Sequence, residues 1–367
     1  MQSRVAKEDV TVGPPAGSRP RTPHQGHGPR EPAESVPEAL PGSVRRTATL
    51  DILRPDGLDG QIVLRGEARD ARWDDGGEEA VLAAVTVDAT VAVAPAPTLV
   101  TLASRPARPA LERLAGRAAL SGLRGALRAA VPADFADAGP LALVLDDLPV
   151  AVLISGYANA VEPPDRRPAP YRAPPADICS GWRSDGTMML TIARTGSLPV
   201  LVGPPAPDLD ARSGPGNGRP PALPRQGMRR RRRMDVSREG GPGGSSGVLM
   251  AEASFRDSYR DAAGDEQIVH EYVLRARVRS SDMTILGLVA EPRVLPWQEC
   301  PAAAASAGRL VGQRVGTFRE RLRETFSGTS TCTHLNDLLR TLDDVTALHR
   351  LLESSGEHAG TTSPVGN

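Results

Sequence analysis

The chain has three cysteines, Cys179, Cys300 and Cys332. An odd number with no close-spaced C-x-x-C pair is no disulfide framework, and reduced thiols in a cytosol fit it best. Cys300 stands directly before Pro301-Ala302. Proline favours the first helical position, so Cys300 is expected to cap a helix. Cys332 follows Thr331 and is expected to open the last helix. The partial positive charge at a helix N-terminus favours thiolate, the form that ligates metal. His270 lies in the middle of a strand pattern. The expected ligand set is therefore His270, Cys300 and Cys332, holding zinc or an iron–sulfur cluster, with a carboxylate such as Glu299 or water completing it. Two alternatives stay open at this point. The thiols and the imidazole are ordinary buried residues of a metal-free interaction module, or Cys332 is a nucleophile acting with His334 on a small molecule. Catalysis is the less favoured of these. Cys179 reads as an incidental thiol in a linker.

A chain of 367 residues gives two domains plus linkers as the natural reading. Aromatics are only 3% against 40% hydrophobic, so the cores must be built from Leu, Val and Ala. No apolar run of about 18 residues is evident, and the N-terminal region carries no signal-like segment. A cytoplasmic protein without a membrane partner is expected. Net charge is zero and Lys7 is the only lysine. Arginine abundance beside so much Ala, Gly and Pro reflects GC-rich coding, which discounts nucleic acid as a partner; an unidentified protein partner is compatible with the sequence. The run Arg229 to Arg233 reads as a solvated linker end, and Asp146-Asp147 as helix-capping residues.

Self-comparison gives the organisation. Gly60 onward (GQIVLRGEARD) falls on Gly247 onward (GVLMAEASFRD), and the register holds to Val91 on Val278. The identical pairs include Arg69/Arg256, Asp70/Asp257, Gly77/Gly264 and Glu79/Glu266. TLVTLASRP then matches TILGLVAEP, and Leu145-Asp146-Asp147-Leu148 matches Leu335-Asn336-Asp337-Leu338. The expected fold is α+β, two tandem diverged copies of a three-stranded antiparallel sheet covered by helices. The expected divisions are a disordered tail over 1–43, a first copy over 44–160, a Pro/Gly/Arg-rich linker over 161–233 with a hairpin near 178–203, a second copy over 234–352, and a disordered tail over 353–367. Strands are expected near 247–256, 267–279 and 283–291. His270 falls on Ala83 and Cys332 on Ala142, so only the second copy carries the candidate ligands.

VLPWQECPAAAASAGRLVG followed by CTHLNDLL resembles the bacterial family known as domain of unknown function 2889, and 44–352 resembles its longer form. That family implies no activity. More distantly, Cys300 before a small-residue helix, and Cys332 entering a Leu-bearing helix, resemble the U-type iron–sulfur cluster scaffold proteins. This resemblance implies their fold for the second copy, with Cys300 and Cys332 in the places of the second and third scaffold cysteines. The first cysteine of that pattern is absent, and Gln313 stands where the scaffolds have Lys.

Overall fold

The computed structural model describes residues 21–23, 31–161, 175–196, 199–211, 219–244 and 246–354. Most of the two expected tails therefore lies outside the described residues. Eight strands form one antiparallel sheet: β1 Ser43–Leu53, β2 Ile62–Trp73, β3 Glu79–Ala92, β4 Thr98–Arg105, β5 Met228–Arg238, β6 Val248–Arg260, β7 Glu266–Arg279 and β8 Ile285–Val294. Their order across the sheet is β8-β7-β6-β5-β1-β2-β3-β4. A short parallel pair, Arg21–Pro23 with Val200–Val202, lies apart from it.

The sheet is two four-stranded meanders joined edge to edge through β1 and β5. The joint has a symmetric register. Ala48 faces Arg232, and on either side Arg46 faces Met234 while Leu50 faces Arg230. Moving 46 to 230 and 50 to 234 turns one pair into the other, as a twofold axis through the joint requires. Each half thus covers the other's edge strand, which would otherwise present unpaired backbone groups to solvent.

This corrects three sequence-based expectations. Each half has four strands where three were expected: β1 precedes the repeated stretch in the first half, and β5 begins at Met228, inside the presumed linker, in the second. Its polar composition hid it: the five arginines are strand residues. The segment expected as a hairpin near 178–203 contains a helix, Thr187–Thr195. Gly186 precedes that helix rather than turning a hairpin, and the Glu299 carboxylate accepts from the Thr187 N–H at 2.7 Å, satisfying one of the helix's free N–H groups.

Helices cover one face: α1 Leu123–Ala130, α2 Pro140–Ile154, α3 Thr187–Thr195, α4 Phe318–Thr325, α5 Thr333–Arg340 and α6 Asp344–Glu353. Strand alternation sends Ile62, Leu64 and Ala68 towards α2, and Leu249, Ala253, Phe255 and Tyr272 towards the second-half helices. Helix α2 presses so closely on β2 that a Cβ at Gly66 would stand 2.4 Å from Val144, so only glycine fits there. With its continuation, Pro140–Val161 is 22 residues long and its most apolar 18-residue window has mean hydropathy 1.7, enough by length and composition to span a bilayer, contrary to expectation. It is apolar all round because it is enclosed: 83% of its most apolar window is buried in the protein.

Candidate metal centre in the second half

The five-arginine run sets the electrostatics of the centre. In β5 its side chains alternate between the two faces, and four of the five are buried. Arg229 meets Asp51, Arg231 meets Asp210, and Arg233 meets Glu252 on the helix-free face. Arg230 and Arg232 point beneath the helices, where Arg232 Nη2 donates to Asp147 at 2.6 Å. The reading of this run as a solvated linker end is therefore wrong. Asp146 and Asp147 do not cap a helix either: both are buried within α2 and ion-paired.

Two fork-like ion pairs mark corresponding places in the halves. Arg46 grips Asp70 at 2.6 and 2.7 Å, and Arg230 grips Asp257 at 2.7 and 2.8 Å. Each arginine then reaches a carboxylate of the opposite half. Arg46 lies 3.2 Å from Asp344, and Arg230 lies 3.3 Å from Asp147. Burial alone would raise Asp257, but Arg230 outweighs it and holds the carboxyl far below the usual carboxylate range. Burial likewise opposes ionisation of Asp146, yet Arg340, Arg124 and Arg319 bring it to about 2.

Asp257 faces His270 directly across β6 and β7. His270 Nδ1 is 3.6 Å from an Asp257 oxygen, beyond hydrogen-bonding distance, and has no hydrogen-bond partner among the described residues. The His334 ring, from the first turn of α5, stacks on His270 at 3.6 Å between centroids and 23° between planes. Phe255 continues the stack at 6.5 Å. Burial, then the neighbouring His270, holds His334 well below 6.5, so it is neutral. Among the described residues, Asp257, His270 and His334 are a set whose ligand atoms all lie within 4.8 Å of one another.

The thiols gather beside this stack. Cys332 is the N-cap of α5, as expected, but makes no side-chain capping hydrogen bond; the nearby Leu335 and His334 N–H groups favour its thiolate. Burial is stronger, however, and pushes Cys332 up to about 11. Cys300 is not a cap: it is the first residue of the 3-10 helix Cys300–Leu310, with Glu299 in the capping place. Burial and the Cys332 thiol raise it well above 9. The expected lowering of both pKa values is thus reversed, because desolvation of a charged sulfur exceeds the helix-end contribution.

Cys179 is buried against the second half rather than standing in a free linker. Its segment packs on the second half, with Ser180 N donating to the Thr331 carbonyl at 2.8 Å. Gly181 lies against Cys300, where a Cβ would stand 2.6 Å from the sulfur. The three buried thiols are close enough that Cys179 raises both Cys300 and Cys332. Tyr272, two residues along β7 from His270, sits next to them. Burial, then Cys332 and Cys300, raises its phenol well above 10, and its hydroxyl is buried without a partner of sound hydrogen-bond geometry among the described residues.

The three ligands expected from sequence therefore fall into two adjoining groups. His270 joins Asp257 and His334, while Cys300 and Cys332 join Cys179 and Tyr272. Sequence reasoning passed over Cys179 and Tyr272, and nothing in their local pattern marks them. In the first half, Asp70 faces Ala83 where Asp257 faces His270. No curated protein and no solved structure is matched by this sequence. Residues 228–348, from the start of β5 into α6, match the family described as Protein of unknown function (DUF2889).

Proposed function

We propose that the protein is a metal-binding accessory protein, built from two diverged copies of one unit, in which the second copy holds the metal and the first completes the sheet. The holder is the thiol group, Cys300 and Cys332 with Cys179, with an imidazole from the His270–His334 pair as nitrogen donor, and these side chains must close on the ion, since the ligand atoms within 4.8 Å of one another among the described residues are those of Asp257, His270 and His334. Three thiolates and one imidazole suit zinc, and the same sulfurs suit an iron–sulfur cluster. A cytoplasmic location fits reduced thiols.

The observation that carries this reading is the pair of orphaned polar atoms on β7. Tyr272 Oη and His270 Nδ1 are both buried with no partner of sound hydrogen-bond geometry among the described residues, the imidazole standing 3.6 Å from Asp257 and the phenol beside the Cys332 thiol. Buried polar groups are rarely left unpaired. The donor set narrowest in space, Asp257 with His270 and His334, is the weaker holder. Both Asp257 oxygens already accept from Arg230, and two near-parallel rings cannot both aim an in-plane lone pair at one ion. Raised thiol pKa values work against the nucleophile reading, since the attacking form is thiolate. They also mean that metal capture must release protons, so affinity should rise with pH.

The test is elemental analysis and absorption spectroscopy of protein purified without oxygen, wild type against Cys300→Ser, Cys332→Ser and Asp257→Asn. The expected result is bound zinc or iron in the wild type, lost in both serine variants and kept in Asp257→Asn. Metal content insensitive to both serine substitutions, or no metal at all, disproves the proposal.

A further inference from the structure

The helix-free face of the sheet is treated differently in its two halves. Over the second half it is covered by extended pieces of the chain itself. Arg256 on β6 is held by Glu271 at 2.8 Å and spends a further N–H on the Pro207 carbonyl at 2.9 Å. The Ala33 carbonyl accepts from the same guanidinium, and the Ala33 N–H donates to Glu271 at 3.1 Å. Asp210 closes on Arg231 at 2.6 and 2.9 Å. Backbone bonds from Ile268 N to the Pro204 carbonyl and from Ala206 N to the Glu266 carbonyl, at 3.0 and 2.9 Å, fix the segment's direction. The covering segment reads Pro204-Pro205-Ala206-Pro207-Asp208-Leu209-Asp210.

Among the described residues, the matching face of the first half is an open groove of about 460 Å³, lined by Thr47, Thr49, Glu67, Arg69, Thr86 and Arg105 among others. Arg69 occupies the place of Arg256. Each lies on the second strand out from the joint, with Thr47 and Ala84 across from Arg69, and Arg231 and Glu271 across from Arg256. Each is held by a carboxylate, Arg69 by Glu79 at 2.9 Å. Among the described residues Arg69 is engaged by Glu79 through Nη1, and Arg105 is exposed at the end of the groove, with Thr86 across from it.

We infer that this groove binds an extended, proline-spaced peptide of a partner protein bearing a carboxylate. The peptide would offer backbone carbonyls to Arg69 and its carboxylate to Arg105. The partner's chemistry is read from the chain's own cover: prolines keep a segment extended and leave carbonyls free to accept, because proline has no N–H to pair inward. An arginine fork beside threonine hydroxyls suits that pattern of carbonyl and carboxylate acceptors. The inference does not depend on the metal reading, since the groove is on the opposite face of the other half.

The test uses the full chain and a fluorescein-labelled synthetic peptide, PPAPDLD, followed by fluorescence anisotropy. Ala84→Trp is chosen to fill the groove from an exposed strand position, and Arg105→Ala to remove the carboxylate partner without adding bulk. Circular dichroism checks that both are folded. Saturable binding to the wild type, abolished by Ala84→Trp and weakened about tenfold by Arg105→Ala, is expected for loss of one charge-assisted contact. No binding, or binding that both variants retain, overturns the inference. So does self-association in sedimentation that Ala84→Trp removes while the peptide fails to bind, since the occupant would then be a second copy.

Discussion

The two halves share a frame and differ in what they put on it. Arg46–Asp70 and Arg230–Asp257 are the same ion pair in the same place. Beyond the aspartate, the first half has Ala83 and a helix made almost wholly of buried aliphatic residues, whereas the second has His270, Tyr272 and the thiols. Apart from its ion-paired arginine and aspartates, the first half has an aliphatic core, while the core of the second also holds imidazoles, a phenol and thiols. On the reverse face the roles change over: among the described residues, the second half is covered by its own chain and the first is open. Each half can vary because the other holds its edge strand and contributes a carboxylate to its central arginine.

Acid should break the two halves together, and by the largest margin. Asp146, Asp147 and Asp257 are held below their ordinary values by arginines that outweigh the cost of burial. A carboxyl depressed on folding stabilises the protein above its unfolded pKa and loses that contribution as pH falls towards the folded one. Stability in urea should therefore be level down to about pH 4 and collapse between about pH 4 and 2. A fall that begins at neutral pH would assign acid sensitivity to other groups.

Single substitutions then test whether the crossed ion pairs are equivalent. Arg46→Ala and Arg230→Ala should each cost about 3–5 kcal/mol in urea melts, because each strands the buried aspartate it grips, Asp70 or Asp257, and takes one of two arginines from a carboxylate of the other half. A large loss in one and less than about 1 kcal/mol in the other would end the comparison. The helix contacts provide a smaller contrast. Gly66→Ala forces a Cβ into Val144 and should cost about 1–3 kcal/mol. The matching residue of the second half, Ala253, already carries a Cβ, and Ala253→Gly should cost about 1 kcal/mol. The smallest effect is one of rate, confined to the second half. With Cys332 at about 11, roughly one thiol in a thousand is ionised at pH 8. Iodoacetamide followed by mass spectrometry should leave the native thiols largely unmodified over a time in which they react fully in urea. Rapid native alkylation of Cys332 would revive the nucleophile reading.

Much of the scaffold was legible in the chain. The alternation in Ile62–Trp73 and Val248–Arg260 follows from burying one face of each strand, and the repeat located the aspartates that now meet Arg46 and Arg230. The stripe Leu335, Leu338, Leu339, Leu342, Val345 and Leu348 lies buried as its spacing requires. Local pattern failed where partners are distant. Arg229 to Arg233 reads as solvated because a strand with five guanidiniums is tolerable only when carboxylates from 51, 147, 210, 252 and 257 converge on it. Cys179 is 121 residues before Cys300, and only the packing of its segment on Glu299 and Thr331 brings the sulfurs together.

By itself the sequence determined which residues alternate, which repeat, and that the ligand-type side chains are concentrated in the later half, since these depend on neighbours within a few positions. The tertiary structure alone decided that the halves form one sheet, that their charges neutralise one another across the joint, and that burial works against ionisation of the thiols. Those depend on desolvation and on charges brought together from afar, which no local window of the chain contains.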